Sequence, residues 1–469
     1  MAKVRKRTWI SGGKEKTRWV ADYFDQDGKR HIKTFELKRE ADDWLSKTQV
    51  EVKEGVHTPD HNSITVNDAI NLWAKNKEIY CRRSSMETFS NNIGRLRSAG
   101  IDNVKLSRLT EQNVWNFFED VAREVTPSAA HRALEAFKEL VKFAKRRRLC
   151  NQSVVEVMEA VKPAPPMRRK KFIGLDIPTK EEMQLILTNA PKKWQRDVFL
   201  VMAFTGLRVG EIRALHWEDI VFKKRVINIH RGSNRWGEIL EPKTEAAQRQ
   251  IPMSPMVLDT LWQRAFPPMA SNVVGLTRRK PTGLVFRGDK LHVIGHMVVH
   301  ENFQRVQIKI GMFADDPTKI LAQPRSQKRA QHAQKILPII REIQEQGIGK
   351  TGPHRSGAYR IARELVARGV LTSQGREKQR GVNILRMMRR ADGKVPRYPS
   401  VYALRHFAAS LFIEQGFSPK RVQVIMGHQK ITTTYDTYGH LFPNPEDDQK
   451  KLAAAELSVF PTATSRDKE

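Results

Sequence analysis

A chain of 469 residues is too long for one hydrophobic core and should hold about three domains. Its formal charge of +32 and pI near 10.2 arise from lysines and arginines spread along the whole length, which points to a polyanionic partner and steep salt dependence, while nine tryptophans and 39% hydrophobic residues exclude a disordered basic arm. Cys81 and Cys150 come with no Cys/His cluster and no apolar run approaches the ~20 residues of a membrane span, so no disulfide framework, metal site or membrane anchor is expected and the chain reads as cytoplasmic and nucleoid-associated.

Residues 1–60 read as a small β module with a helix behind it. Trp19-Val20-Ala21-Asp22-Tyr23-Phe24 is a strand run, Asp25-Gln26-Asp27-Gly28 supplies turn chemistry, and 29–35 return as the next strand of a three-stranded sheet. Ala41, Trp44, Leu45 and Val52 then recur at near-helical spacing up to Gly55. Arg5, Lys6, Arg7, Lys14, Lys16 and Arg18 crowd the strands, either as a solvated face or as a sheet laid into a nucleic-acid groove. From 64 to 163 the pattern is helical, opening with Val66, Ala69, Ile70 and Trp73 on one stripe and closing on Arg146, Arg147 and Arg148, which suit phosphate contact. Lys162-Pro163-Ala164-Pro165-Pro166 begins a stiff linker whose basic second half, with Arg169, Lys170 and Lys171, would adhere to phosphate.

Beyond the linker, Thr179 and Glu182 have capping-box spacing at a helix start. A buried helix over 198–204 breaks at Thr205-Gly206-Leu207-Arg208, and an arginine at a buried helix end implies an anionic partner. Glu211, one turn on, is placed to hold that guanidinium. Strand patterns follow over 223–231, 237–242 and 249–252, with Lys243 in a hairpin between the last two. A strand at 285–286 precedes a helix over 303–310. Residues 313–397 then carry 19 Lys and Arg against seven Asp and Glu, a net charge of +12, on three helical stripes at 336–345, 358–367 and 382–390. Those stripes and the Thr372-Ser373-Gln374-Gly375 turn read as a helix-turn-helix module or as a basic insertion with a folding role. Finally, Tyr402-Ala403-Leu404-Arg405-His406 opens a segment running through Met426-Gly427-His428 to Tyr438-Gly439-His440. Arg405 offers the planar fork that matches two phosphate oxygens, and Tyr438 is a phenol able to serve as a nucleophile among cations.

With these residues assembled, the chain resembles the tyrosine recombinases, the phage-integrase type of site-specific recombinase. The Thr205 to Glu211 run matches the first arginine box, Leu404-Arg405-His406 the second, Met426-Gly427-His428 the histidine element, and Tyr438 lies ten residues after His428, where the nucleophile belongs. The resemblance implies a mainly α fold with small β-sheets: an arm-type DNA-binding module over 1–60, a helical core-site-binding bundle over 64–163, and a mixed α/β catalytic domain over 176–460 interrupted by the 313–397 insertion. It implies strand cleavage through a 3′-phosphotyrosine with Lys243 as general acid, His428 as a further phosphate donor, and no metal, cofactor or ATP. The implied partners are double-stranded DNA attachment sites bound by a homotetramer on two sites, with a DNA-bending accessory protein and a directionality factor.

Two features depart from the family pattern. Tyr402 stands where box II usually has histidine, and the insertion sits where a short connection is usual, its second half being similar to the helix-turn-helix segment of the large serine recombinases. An integrase of a prophage or integrative element is the leading expectation. A resolvase-like recombinase, a type IB topoisomerase and a non-catalytic DNA-binding relative are the alternatives.

Overall fold

The computed structural model describes residues 2–12, 14–54, 57–59, 63–166, 170–242, 244–267, 281–288, 292–315, 324–348, 354–370, 395–442 and 445–459. One compact unit is built mainly from residues up to 166 and a second mainly from those after it. No described helix is long and apolar enough to cross a membrane.

The first unit opens with an antiparallel meander of β1 (Lys3–Ser11), β2 (Lys14–Phe24) and β3 (Arg30–Phe35) in the order β1-β2-β3. Helix α1 (Lys38–Lys53) covers one face, joining Leu45 and Trp44 to Ala21, Tyr23 and Phe35. The turn between β2 and β3 forms because Asp25 Oδ1 accepts the backbone N–H groups of Asp27 and Lys29 while Gly28 takes φ 77°. His57 ties the segment after α1 back onto this module, with Tyr23 Oη at 2.7 Å from one ring nitrogen and Glu51 at 3.0 Å from the other. Helices α2 (Val66–Glu78), α3 (Arg83–Ser98), α4 (Glu111–Glu124), α5 (Pro127–Arg146) and α6 (Gln152–Ala160) make the bundle. Thr65 and Thr110 close capping boxes, and Thr126 caps α5 with Pro127 behind it. On α5, Ala130, Ala133 and Ala144 let neighbouring helices approach while Leu134, Phe137 and Leu140 fill the centre, each contributing roughly 1.5–3 kcal/mol by leaving water.

The second unit begins with α7 (Lys180–Thr188), capped by the expected Thr179–Glu182 box, and α8 (Lys193–Thr205), whose buried run from Val198 to Ala203 makes it the central helix. After α9 (Val209–Ala214) come two small sheets. Strands β4 (Ile220–Val221), β5 (Val226–Ile229) and β8 (Arg249–Pro252) pair in that order, and β6 (Gly232–Ser233) with β7 (Ile239–Leu240) forms a separate ribbon. The strands are shorter than their sequence patterns. Phe222–Lys224 is a 3-10 turn and Arg225 takes φ 52°, so pairing starts only at Val226. Helices α10 (Pro255–Ala265) and α11 (His296–Lys309) follow, α11 beginning seven residues before the expected start at 303. Helices α12 (Pro324–Glu345) and α13 (His354–Ala367) pack Ile336, Ile340 and Ile343 against Ile361 and Leu365. The third expected stripe of the insertion, 382–390, and the 372–375 turn lie outside the described residues. The chain then runs through α14 (Tyr402–Glu414), α15 (Pro419–Met426), α16 (Ile431–Tyr438) and α17 (Pro445–Val459).

Candidate active site

The site forms where the N-terminus of α9 meets the C-terminal end of α15. Helix α8 stops at Gly206, which adopts φ 68°, and a Cβ there would lie 2.7 Å from Met426 Sδ. The turn delivers Arg208 to the N-cap of α9, where Glu211 accepts its backbone N–H at 2.8 Å and its Nη1 at 2.8 Å. The expected Arg208–Glu211 contact is therefore present, but it is part of a larger cluster. Arg249 on β8 also grips Glu211, Nη1 at 3.0 Å and Nη2 at 2.8 Å, and donates Nε to Ile425 O at 2.7 Å. Arg208 Nη2 donates to Gly427 O at 2.6 Å, while Arg405 on α14 donates to Gly206 O and Met426 O. Three guanidinium groups thus take up the carbonyls at the end of α15, which has no further helical N–H groups to satisfy them and carries the negative end of the helix dipole. Gly427 must be glycine twice over: its φ is 62°, and a Cβ would lie 3.0 Å from Arg249 and 3.2 Å from Arg208.

One carboxylate among three arginines leaves a local excess of positive charge. Burial alone would raise the Glu211 pKa, but hydrogen bonds and charge from Arg249, with Arg208 and Arg405 behind, hold it down to about 2. Arg405, 4% exposed, is pushed down to about 10 by burial and by Arg208. His428 falls to about 3 through burial and the nearby arginines, so it stands neutral, with Nδ1 2.9 Å from Thr434 Oγ1.

Tyr438, at the end of α16, is 2% exposed and burial raises its phenol to about 12, against the pull of Arg405. Its hydroxyl lies 2.6 Å from His406 Nδ1. Tyr435, three residues earlier, is 50% exposed, which separates the two tyrosines by environment. Tyr402 is 40% exposed, and among the described residues its hydroxyl has no hydrogen-bond partner. The structure therefore brings together Arg208, Glu211, Arg405, His428 and Tyr438, but not the Tyr402 side chain.

Arg249 and His406 were missed by sequence reasoning, and each carried a signal. Arg249 alternates with Ile251 on the buried face of β8, a place where a charge needs a partner. His406 lies one helical turn after Tyr402, next to Arg405.

Lys171, a candidate phosphate contact in the basic linker, has partners within the chain. Its Nζ pairs with Asp176 at 3.0 Å, its N–H donates to Thr437 O, and its carbonyl accepts His440 Nε2 at 3.0 Å. Those contacts hold the segment beside Tyr438. Lys170 is exposed, as are Arg146, Arg147 and Arg148 at the end of α5, with Arg147 lying over the Phe143 ring. Lys243 and Arg169 lie outside the described residues.

The β6–β7 ribbon that leads to Lys243 is tied to α9. A Cβ on Gly210 would stand 2.7 Å from Ser233 O, and buried Arg213 donates Nη1 to Asn234 O at 3.0 Å. Gly210→Ala must displace the ribbon relative to Arg208, and a shift on the order of 1 Å costs on the order of 100-fold in a positioned reaction. For the strand cleavage that the resemblance implies, the expected result is a slow reaction with DNA affinity within a few fold of the parent. Equal losses in both, measured by single-turnover cleavage and by mobility shift, would refute it.

Residues 178–312 match the phage integrase family. Among curated proteins, the chain is 24% identical over 281 residues to an integrase of Streptomyces ambofaciens, covering 56% of this chain and 69% of that one. It is 23% identical over 278 residues to a XerC-like tyrosine recombinase of Caldanaerobacter subterraneus subsp. tengcongensis, covering 55% and 70%. These matches support a tyrosine recombinase. Its fold is shared with a segment of the Tn1549 transposon integrase solved with transposon right-end DNA, at a TM-score of 0.52 and 13% identity, over 83% of this chain and 100% of that one. The family match supports a site-specific DNA recombinase, and the fold is mainly helical with small antiparallel sheets.

Proposed function

We propose that this recombinase is the integrase of a prophage or integrative mobile element and that it cleaves and rejoins strands through a 3′-phosphotyrosine on Tyr438. The observation that carries the reading is the cluster of Arg208, Arg249 and Arg405 around the single carboxylate of Glu211, beside a buried phenol. Such a site is electrostatically incomplete until an anion enters. A phosphodiester supplies that charge, and its non-bridging oxygens suit the guanidinium donors that the carbonyls leave over. Arg208 and Arg405 would stabilise the charge that develops on those oxygens, with His428 as a neutral donor. The Tyr438 oxygen would attack phosphorus in line with the departing 5′ oxygen, which would take its proton from Lys243. Energy of the broken phosphodiester stays in the phosphotyrosine bond, so rejoining needs no ATP, and arginines do the charge neutralisation that metal ions do in other phosphoryl transfers.

The basic module at 1–60 and the bundle at 64–163 are proposed to hold arm-type and core-type DNA sites, with Arg146, Arg147, Arg148, Arg169 and Lys170 on phosphates. A homotetramer on two attachment sites, assisted by a DNA-bending protein and a directionality factor, is the assembly that the family resemblance implies. The test uses a nicked suicide duplex carrying the attachment site, recovered by selecting bound fragments of the source genome. Tyr438→Phe should still shift that duplex on a native gel yet leave no covalent adduct on a denaturing one. Persistence of the adduct would sink the assignment of Tyr438.

A further inference from the structure

We propose that His406 accepts the proton of Tyr438 when the phenol attacks, the task for which Tyr402 is poorly placed. The inference rests on Tyr438 being the nucleophile and adds the base that this reading lacks. The geometry is direct, because His406 Nδ1 lies 2.6 Å from Tyr438 Oη. That is within the reach expected of a general base. With the phenol donating, Nδ1 must be the unprotonated nitrogen and Nε2 carries the ring proton. Tyr402 cannot compete from its position, since it is 40% exposed and its hydroxyl meets no partner among the described residues. Position 406 is one turn further along α14 and reaches the hydroxyl that must be deprotonated.

The groups around His406 decide when it can act. Lys171 and Asp176 face it from the segment before α7, Arg405 from its own helix, Tyr438 from α16 and His428 from the end of α15. Burial first, then Lys171 and Arg405, push His406 down to about 4, against a smaller opposing pull from Asp176. In the empty site the imidazole is therefore neutral and able to accept, but weakly basic. A phosphodiester bound on Arg208 and Arg405 brings a negative charge to the same place, offsets those cations and strengthens the base only when substrate is present. The step balances. As the Oη–P bond forms, the phenol proton passes to Nδ1, the P–O5′ bond breaks, and the 5′ oxygen takes its proton from Lys243. In rejoining, the 5′ hydroxyl gives its proton back to Lys243 as its oxygen attacks phosphorus, the Oη–P bond breaks, and the phenol oxygen recovers its proton from His406.

His406→Asn keeps a polar acceptor near the Nδ1 position but cannot take the proton. We expect single-turnover cleavage of the suicide duplex to fall about 100-fold at neutral pH. The deficit should shrink as pH rises, because hydroxide can then ionise the phenol. A ring-fluorinated, more acidic tyrosine at 438 should restore most of the lost rate in His406→Asn and change the parent little. A pH-independent deficit that fluorination does not relieve would mean that His406 only positions Tyr438, and cleavage within a few fold of the parent would mean no role at all. Either result overturns the proposal. The parent protein gives a check that does not depend on the variant's folding: cleavage should level off with pH once the base is deprotonated. A rate rising in proportion to hydroxide throughout the alkaline range overturns the proposal. Failure of the underlying reading is visible separately, as an adduct that maps by peptide mass to a residue other than Tyr438.

Discussion

Glu211→Gln is expected to cost the second unit about 3–5 kcal/mol at neutral pH, the scale on which removal of one partner leaves buried charge uncompensated. The substituted amide would keep the shape of the side chain while leaving Arg208, Arg249 and Arg405 with no carboxylate between them, and one of the three, Arg405, is only 4% exposed. The pH dependence arises from the same contacts. In the folded chain Glu211 titrates near 2, below its ordinary value of 4.5, so its contribution is fully present above that ordinary value and is lost as pH falls from there toward 2. Urea unfolding followed between pH 7 and pH 2 should therefore show the parent losing stability in this window and the variant losing less. If the variant unfolded within about 1 kcal/mol of the parent at neutral pH, the carboxylate would not be the keystone of the cluster.

Arg405→Lys is expected to reduce cleavage by a factor of about 100–1,000, the usual loss when one preorganised donor to a developing oxyanion is removed. The charge survives this change but the fork does not. Arg405 reaches Gly206 O with one terminal nitrogen and Met426 O with the other, and so ties the turn that carries Arg208 to the end of α15. A lysine has a single nitrogen in place of the two separate ones that reach these carbonyls, and it lacks the planar fork that matches phosphate. Arg208→Lys should be milder for stability, since Arg208 is partly exposed and the Arg249–Glu211 pair remains. The comparison is read from thermal unfolding and single-turnover cleavage of both variants. Arg208→Lys proving the more destabilising of the two would contradict the structure's ranking.

Much of the site was legible before any coordinates. An arginine at the broken end of a buried helix needs an anion, and Glu211 stands one turn from it in sequence, so local spacing already named that pair. Arg405, His428 and Tyr438 were legible through the order and spacing of the recombinase boxes, and the structure places them around the end of α15. The β module and the helical stripes from 64 to 163 were legible because their periodicity and caps are local properties. Strand lengths in the second unit were not, because a two-residue strand such as β6 or β7 has no period to detect.

What the sequence by itself determined was the resemblance to tyrosine recombinases, the residue types of the candidate site and the helices that carry them. These are encoded in short spacings, where helix period, capping and motif order all act within a few residues. Only the tertiary structure decided which groups complete the site. Arg249 meets Glu211 from 38 residues away and Ile425 from 176, Arg405 reaches Gly206 across 199, and His406 meets Tyr438 across 32. Such partners are selected by packing and by the requirement that buried polar groups be paired, and that requirement is satisfied in space, with no trace in local periodicity. For the same reason Lys171, which reads as one more basic linker residue, proves to be braced against the helix that carries Tyr438.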